Sequence, residues 1–246
     1  MTIRLSLIIP AYNEAQRLPG TLRQVHAYLA AQSYASEIVV VDDGSTDATA
    51  LAAQTTMEEL GAGPVGFACV RLERNRGKGA AVRQGMLHEA RGAYRFFYDA
   101  DGATPIEEIE GAMALFESGA EIVIGSRALA ASRVEVHQAW YREHMGQVNN
   151  VFLRLLGLTP YKDTQCGFKG FSARAVEIVF PRQTIEGFAF DVELLYIAWL
   201  HGLRIEELPV TWRNSPRSTL NPVSDSLAMI WESWTVRFKA FLGSYR

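Results

Sequence analysis

Short runs of β-branched and aromatic residues alternate with longer helical patterns through the first half of this chain, and that alternation leaves few folds open. Leu5 to Ile9, Glu37 to Val41, Phe67 to Leu72, Tyr94 to Tyr98 and Ile122 to Ile124 read as strands. Between them Glu14 to Ala31, Thr46 to Leu60, Lys78 to Ala90 and Pro105 to Ser118 read as helices, the last with Thr104 as its cap and Pro105 at its first position. Such a repeat builds an α/β fold: a mostly parallel, Rossmann-like sheet with helices on both faces. Ligands bind such sheets beyond the carboxyl ends of the strands.

After about residue 126 the pattern changes. Two helical stretches, Gln138 to Leu156 and Asp191 to His201, flank the loop and strand of DTQCGFKGF. A hairpin-like strand, Arg204 to Thr211, precedes the polar loop RNSPRSTLNP. A last helix, which Asn221 and Pro222 can start, carries Leu227, Ile230, Trp231, Trp234, Phe238, Phe241 and Leu242 on one face. With 246 residues, 48% of them hydrophobic, the chain suits one domain with a sizeable core. We assign residues 1–222 to that domain. Residues 223–246 form an amphipathic helix that either belongs to it or docks on a membrane.

Composition excludes several classes. Cys69 and Cys166 are the only cysteines and have no metal-site spacing, so a disulfide scaffold or cysteine-rich zinc site is out and a reducing, cytoplasmic setting fits. The apolar run before Pro10 is too short for a signal peptide, and no stretch is long and apolar enough to span a bilayer, so membrane contact is expected to be peripheral. A formal charge of −3 and the lack of interleaved basic and aromatic runs speak against nucleic acid as a partner.

The acidic groups collect at strand ends. Asp42 and Asp43 end the second strand in VVVDDGSTD, and Asp99 and Asp101 end the fourth in FFYDADGATP. Neighbouring carboxylates repel unless a cation or hydrogen-bond donors neutralise them. Asp99 and Asp101, two apart on an extended segment, can turn to one side and offer hard oxygen ligands to Mg²⁺ or Mn²⁺, leaving other coordination positions for a diphosphate. Either motif alone also suits an ordinary turn; both together, each after an apolar strand, point to a nucleotide-diphosphate site. After the first strand, Tyr12 offers a flat ring and Glu14 a carboxylate to a base or ribose, although Asn13 could simply cap a helix. In NRGKG, Lys78 stands at a helix start that favours an anion, or at a flexible cap. From Arg127 to Arg174 seven basic residues face three acidic ones, which suits an anionic partner; Arg127 and Lys169 are the best placed.

Taken in order, PAYNE, VVDDGSTD, NRGKGAAVRQG, DADGATP, GSR, DTQCGFKGF and FDVELLYIA resemble the inverting GT-A glycosyltransferases of family 2 that make polyprenyl-phosphate sugars. The likeness runs from about Leu5 to Trp212. It is nearest the glucosyl branch of the dolichyl-phosphate enzymes, with the mannosyl branch next. The resemblance implies that Pro10, Tyr12 and Glu14 hold the nucleotide base and that Asp42, of the Asp42–Asp43 pair, reaches the uracil or ribose. It implies that Asp99 and Asp101 form the metal-diphosphate motif and that Arg127 faces the acceptor phosphate. Lys169 and Arg217 would close over the phosphates, and Asp191 and Glu193 would lie near the sugar. Mannosyl relatives often carry a Gln as a further metal ligand where this chain has Ala103.

The implied donor is UDP-glucose, with GDP-mannose as the alternative, and the acceptor is a polyprenyl or dolichyl phosphate, with a soluble sugar as the alternative. A phosphate monoester is mostly ionised at neutral pH, so a dedicated general base is dispensable and a single inverting displacement suffices. Asp191 is the candidate for a hydrogen bond to the sugar, or a helix cap. The expected place of work is the cytoplasmic membrane face, where the last helix either meets headgroups through Trp231 and Trp234 or covers the protein's own core.

Overall fold

The computed structural model describes residues 2–61, 63–136, 153, 154, 156–213 and 222–246. Seven strands form the main sheet: β1 (Leu5–Ala11), β2 (Ser36–Asp42), β3 (Val65–Arg71), β4 (Tyr94–Tyr98), β5 (Ile122–Ser126), β7 (Phe168–Ser172) and β8 (Ile205–Pro209). Their spatial order is β3-β2-β1-β4-β7-β5-β8, parallel throughout except for β7, which runs antiparallel between β4 and β5. The remaining strands, β6 (Arg133–Val136) and β9 (Thr211–Arg213), pair in parallel as a separate small sheet. Arg204 to Thr211 is therefore no hairpin. The chain breaks at Val210, and its two halves join different sheets.

The helices are α1 (Leu18–Ala30), α2 (Thr49–Leu60), α3 (Lys78–Gln84), α4 (Ile109–Glu117), α5 (Ala173–Val179), α6 (Phe190–Leu200) and α7 (Pro222–Phe241). α1 and α2 start three or four residues later than the sequence pattern suggests, because residues 13–17 and 45–48 are used to brace the loops after β1 and β2. α3 continues as a wider five-residue turn, Gly85–Glu89. Thr104 does not cap the fourth helix: Pro105 holds an extended ψ of 139° at the cap, and a tight turn over Ile106–Glu108 precedes α4. The helix expected over Gln138 to Leu156 falls almost wholly outside the described residues.

All seven residues of β1 and of β2 are buried, as strands covered on both faces must be. Successive side chains alternate between two cores. Ile8, Val39, Val41, Phe97, Ile124 and Phe171 meet α3, α5 and α6 on one face. Leu7, Ile9, Ile38, Val40, Phe96 and Phe168 meet α1, α2 and α4 on the other.

The site follows from the sheet's topology. The order runs from β1 outward through β2 and β3 on one side and jumps to β4 on the other, so the switch point lies between β1 and β4. The β1–β4 ladder stops at Ile8 and Phe97, whereas β1–β2 pairing continues to Ala11 and Asp42. Pro10 sits in that unpaired stretch, where its missing N–H is not needed by β4, and the sheet opens there into a crevice.

Candidate active site

A cleft of about 430 Å³ occupies this switch point. Of the residues singled out from the sequence, Pro10, Tyr12, Glu14, Asp43, Lys78, Asp99 and Asp101 line it. Asp42, Arg127, Lys169 and Asp191 do not, and Arg217 lies outside the described residues.

Asp99 and Asp101 follow β4 on one wall. The Asp99 amide donates to the Gly167 carbonyl at 3.0 Å, which ties the end of β4 to the start of β7. A β-carbon on Gly167 would stand 1.9 Å from Asp99 Oδ2, so only glycine lets the carboxylate lie there. Asp101 Oδ1 accepts the Ala103 N–H at 3.0 Å. Burial and then the neighbouring Asp99 charge push the Asp101 carboxyl above its ordinary range. Lys78 Nζ reaches Asp99 Oδ1 at 2.5 Å. Burial opposes the Lys78 charge, but Asp99, Asp191 and Asp101 outweigh it and leave the ammonium pKa raised.

The NRGKG motif suggests a helix start whose amides await an anion, but two of those amides are already taken. Gly79 and Ala80 donate theirs to the Glu186 carbonyl at 2.8 and 3.3 Å. Lys78 itself supplies the positive charge on this wall.

Of the Asp42–Asp43 pair expected at the nucleotide, only Asp43 lines the cleft. Asp42 is buried away from the cleft, accepting the Ser45 N–H at 2.9 Å, with Arg71 Nε 3.5 Å from it. Asp43 lines the cleft and takes the amides of Arg76 at 2.9 Å and Gly77 at 2.7 Å, so it shapes the Lys78 turn. Glu14 is held by Arg17, whose Nε donates to it at 2.6 Å. Asn13 caps no helix. It adopts a positive φ of 55° and its Oδ1 accepts the Thr46 N–H at 2.9 Å.

Arg17 is the residue that the sequence reading missed. It lines the cleft, and Glu14 first, then Asp101 and Asp99, hold its pKa up against burial. Its spacing of three from Glu14 was the available signal. Phe188, an exposed ring that also lines the cleft, was missed too.

Arg127 is anchored rather than free. Its Nε and Nη2 donate to the two oxygens of buried Asp163 at 2.7 and 3.0 Å, its backbone N–H adds a third bond at 3.0 Å, and the guanidinium lies 5.4 Å from the Trp212 ring centre. Burial pushes the Asp163 carboxyl up, but Arg127 prevails and brings it down to about 2. Lys169 is fully buried, 2.8 Å from Asp191, and donates to the Cys166 carbonyl at 2.6 Å, so it does not face the cleft. Asp191 is in the first turn of α6, where a negative charge suits the helix end, but the cap position is Ala189. Glu193 is spent on the Thr184 and Ile185 amides and the Tyr245 hydroxyl.

Four carboxylates against two cations line the cleft. A diphosphate entering it meets repulsion unless a divalent cation comes too, and the hard oxygens of Asp99 and Asp101 suit Mg²⁺ or Mn²⁺. Among the described residues no third acidic, histidine or cysteine ligand joins them, so the donor set fits an ion whose other positions are filled by diphosphate or water oxygens.

A doubly wound α/β sheet with an acidic, partly cation-lined crevice at its switch point has the form of a nucleotide-sugar enzyme. The chain belongs to glycosyl transferase family 2, which matches it over residues 6–179. It is 36% identical over 254 residues to dolichyl-phosphate beta-glucosyltransferase of Dictyostelium discoideum, covering 99% of this chain and 77% of that protein. The Saccharomyces cerevisiae enzyme of the same name is 35% identical, with 99% and 77% covered. Glucosyl-3-phosphoglycerate synthase from Mycobacterium tuberculosis, crystallised with Mn²⁺, UDP-glucose and phosphoglyceric acid, superposes with a TM-score of 0.69 at 17% identity, over 96% of this chain and 79% of that one. That neighbour shares the GT-A fold.

Proposed function

We propose that this protein transfers glucose, with inversion, from UDP-glucose to a dolichyl or other polyprenyl phosphate. The observation that carries the reading is the 36% identity, across 99% of the chain, to a dolichyl-phosphate beta-glucosyltransferase. The cleft supplies compatible chemistry.

Pro10 and Tyr12, with Glu14 and Asp43 behind them, form the wall for the uracil and ribose. Lys78 and Arg17 face the diphosphate. Asp99 and Asp101 would hold Mg²⁺ or Mn²⁺. When bound, the ion neutralises the charge that gathers on the departing nucleotide diphosphate. The acceptor phosphate is already anionic at neutral pH, so no side chain has to remove a proton from it. Arg127, kept in one orientation by Asp163 and Trp212, receives that phosphate and offsets its repulsion from the donor. Asp191 acts from behind the wall, pairing Lys169 and adding to the field at Lys78. Arg217 is assigned to the phosphates by resemblance alone.

The lipid acceptor calls for a membrane surface. No helix among the described residues is long and apolar enough to cross one. The apolar face of α7 does not cover the protein's own core: Trp231 is 74% exposed and Phe241 86%, and Phe238 and Leu242 are also exposed. Leu227 lies outside the described side chains. Ser233, Val236 and, just past the helix, Tyr245 pack inward instead. This aromatic face, with exposed Arg237 beside it, suits peripheral docking on the cytoplasmic headgroup layer.

The decisive assay is sugar transfer from UDP-glucose and GDP-mannose, in parallel, to a short polyprenyl phosphate with Mn²⁺ or Mg²⁺. Lipid product from UDP-glucose alone is expected, and Asp99→Ala should abolish it; product from GDP-mannose alone, or none, overturns the reading. Docking is read by liposome flotation of the full chain. Trp231→Gln with Phe241→Gln should leave the protein unfloated, and unchanged flotation removes α7 as the docking face.

A further inference from the structure

Helix α7 presents aromatics on one side and, on the other, a carboxylate that reaches the cleft wall. Glu232 Oε2 accepts the Ala189 N–H at 2.9 Å. A β-carbon on Gly187 would stand 2.0 Å from Glu232 Oε1, so the carboxylate lies directly against the chain there. Gly187 and Phe188, within the same strap, line the cleft.

The other end of the strap is fastened to the turn that bears Lys78. The Glu186 carbonyl accepts the amides of Gly79 and Ala80, and a β-carbon on Gly77 would stand 2.4 Å from that carbonyl oxygen. The Glu186 side chain pairs with Arg76. Residues 186–189 thus connect α7 to the turn that bears Lys78, and the close backbone approach at Gly77 leaves little room for that end of the strap to shift on its own.

We propose that Glu232 is a positioning residue for the nucleotide-sugar donor: through residues 186–189 it sets Phe188 and the Lys78 turn across the cleft. The inference rests on the nucleotide-sugar reading above. It makes the helix with the exposed aromatic face part of the donor site's framework, although none of its described side chains lines the cleft.

The test is UDP binding with Mn²⁺ by calorimetry on the full chain, together with KM for UDP-glucose and for polyprenyl phosphate in detergent. Glu232→Ala should weaken UDP binding and raise the donor KM about tenfold, with the lipid-phosphate KM changed less than about twofold. Glu232→Gln, which keeps an acceptor oxygen for the Ala189 amide, should return UDP affinity to within about threefold of the unaltered protein. Gly187→Ala drives a methyl group into the carboxylate and should weaken UDP binding with Glu232 still present. Combined with Glu232→Ala it should cost no more than Glu232→Ala alone, since the atom it strikes is gone. UDP affinity unchanged in Glu232→Ala overturns the inference, as does Glu232→Gln binding as weakly as Glu232→Ala. Should Glu232→Ala not fold, unchanged affinity in Gly187→Ala overturns it as well. An unaltered protein that binds no UDP overturns the nucleotide-sugar reading and this inference with it, whereas UDP binding by the unaltered protein with the same affinity in Glu232→Ala overturns this inference alone.

Discussion

The Nζ atom of Lys169 lies 2.8 Å from Oδ1 of Asp191 and 5.1 Å from the Phe97 ring centre, and both side chains are buried. Lys169 comes from the one antiparallel strand of the main sheet and Asp191 from the first turn of α6, so the pair pins the sheet to the helix behind the cleft. Removing one partner strands the other charge in the core. Lys169→Met or Asp191→Asn should each cost about 3–5 kcal/mol in urea unfolding, and replacing both by apolar residues should cost less than the sum. Single losses below about 1 kcal/mol would show that the pair is not holding these elements together.

Arg127 and Asp163 predict an acid limb in stability. The folded Asp163 carboxyl titrates at about 2, below the unfolded value of roughly 3.9. Unfolding therefore takes up a proton in this window, so the pair's contribution is present above about pH 4 and is lost as pH falls toward 2. A shift of this size corresponds to about 2–3 kcal/mol. Unfolding free energy measured from pH 6 to pH 2.5 should fall more steeply in the unaltered protein than in Asp163→Asn; parallel curves would refute the coupling.

Gly167→Ala tests the seat of Asp99 without deleting any functional group. The new methyl would meet Asp99 Oδ2 at 1.9 Å, so the carboxylate must turn away. Turnover with Mn²⁺ should drop by on the order of 10²-fold, as for misplaced catalytic groups. Full activity in a folded Gly167→Ala protein would mean that Asp99 has room to spare.

Lys78 balances Asp99 at 2.5 Å and faces the same cleft as Arg17. Lys78→Ala should lower kcat/KM for UDP-glucose by on the order of 10²-fold through lost stabilisation of diphosphate charge. Lys78→Arg should recover only part, because a planar guanidinium does not reproduce a compact ammonium. An unchanged donor kcat/KM in Lys78→Ala would exclude it from the phosphate site.

Most of the parallel sheet was legible along the chain, since Leu5 to Ile9 or Tyr94 to Tyr98 are apolar on both faces and need only local pattern to be seen as buried strands. The cleft's acids were legible for the same reason: Asp43, Asp99 and Asp101 stand just past strand ends, and strand ends point to the switch point. β7 was read as a strand, but its antiparallel insertion between β4 and β5 was not, nor was the parting of β8 from β9, because partner choice depends on residues far away in sequence.

Side-chain direction was the other limit. Asp42 and Asp43 are adjacent and alike in sequence, yet successive positions in extended chain face opposite ways, so one is buried under the turn and the other lines the cleft. Lys169 and Glu193 read as ligand-facing charges until the core closes around them. The aromatic stripe of α7 was equally consistent with core and with solvent, and only packing against α6 turned Val236 inward and Trp231 outward. The sequence by itself determined which segments are strands and helices and which residue types gather at the strand ends, because those depend on local periodicity. Which charges line the cleft and which only meet each other was decided by the tertiary structure, because burial and pairing are set by contacts between residues distant along the chain.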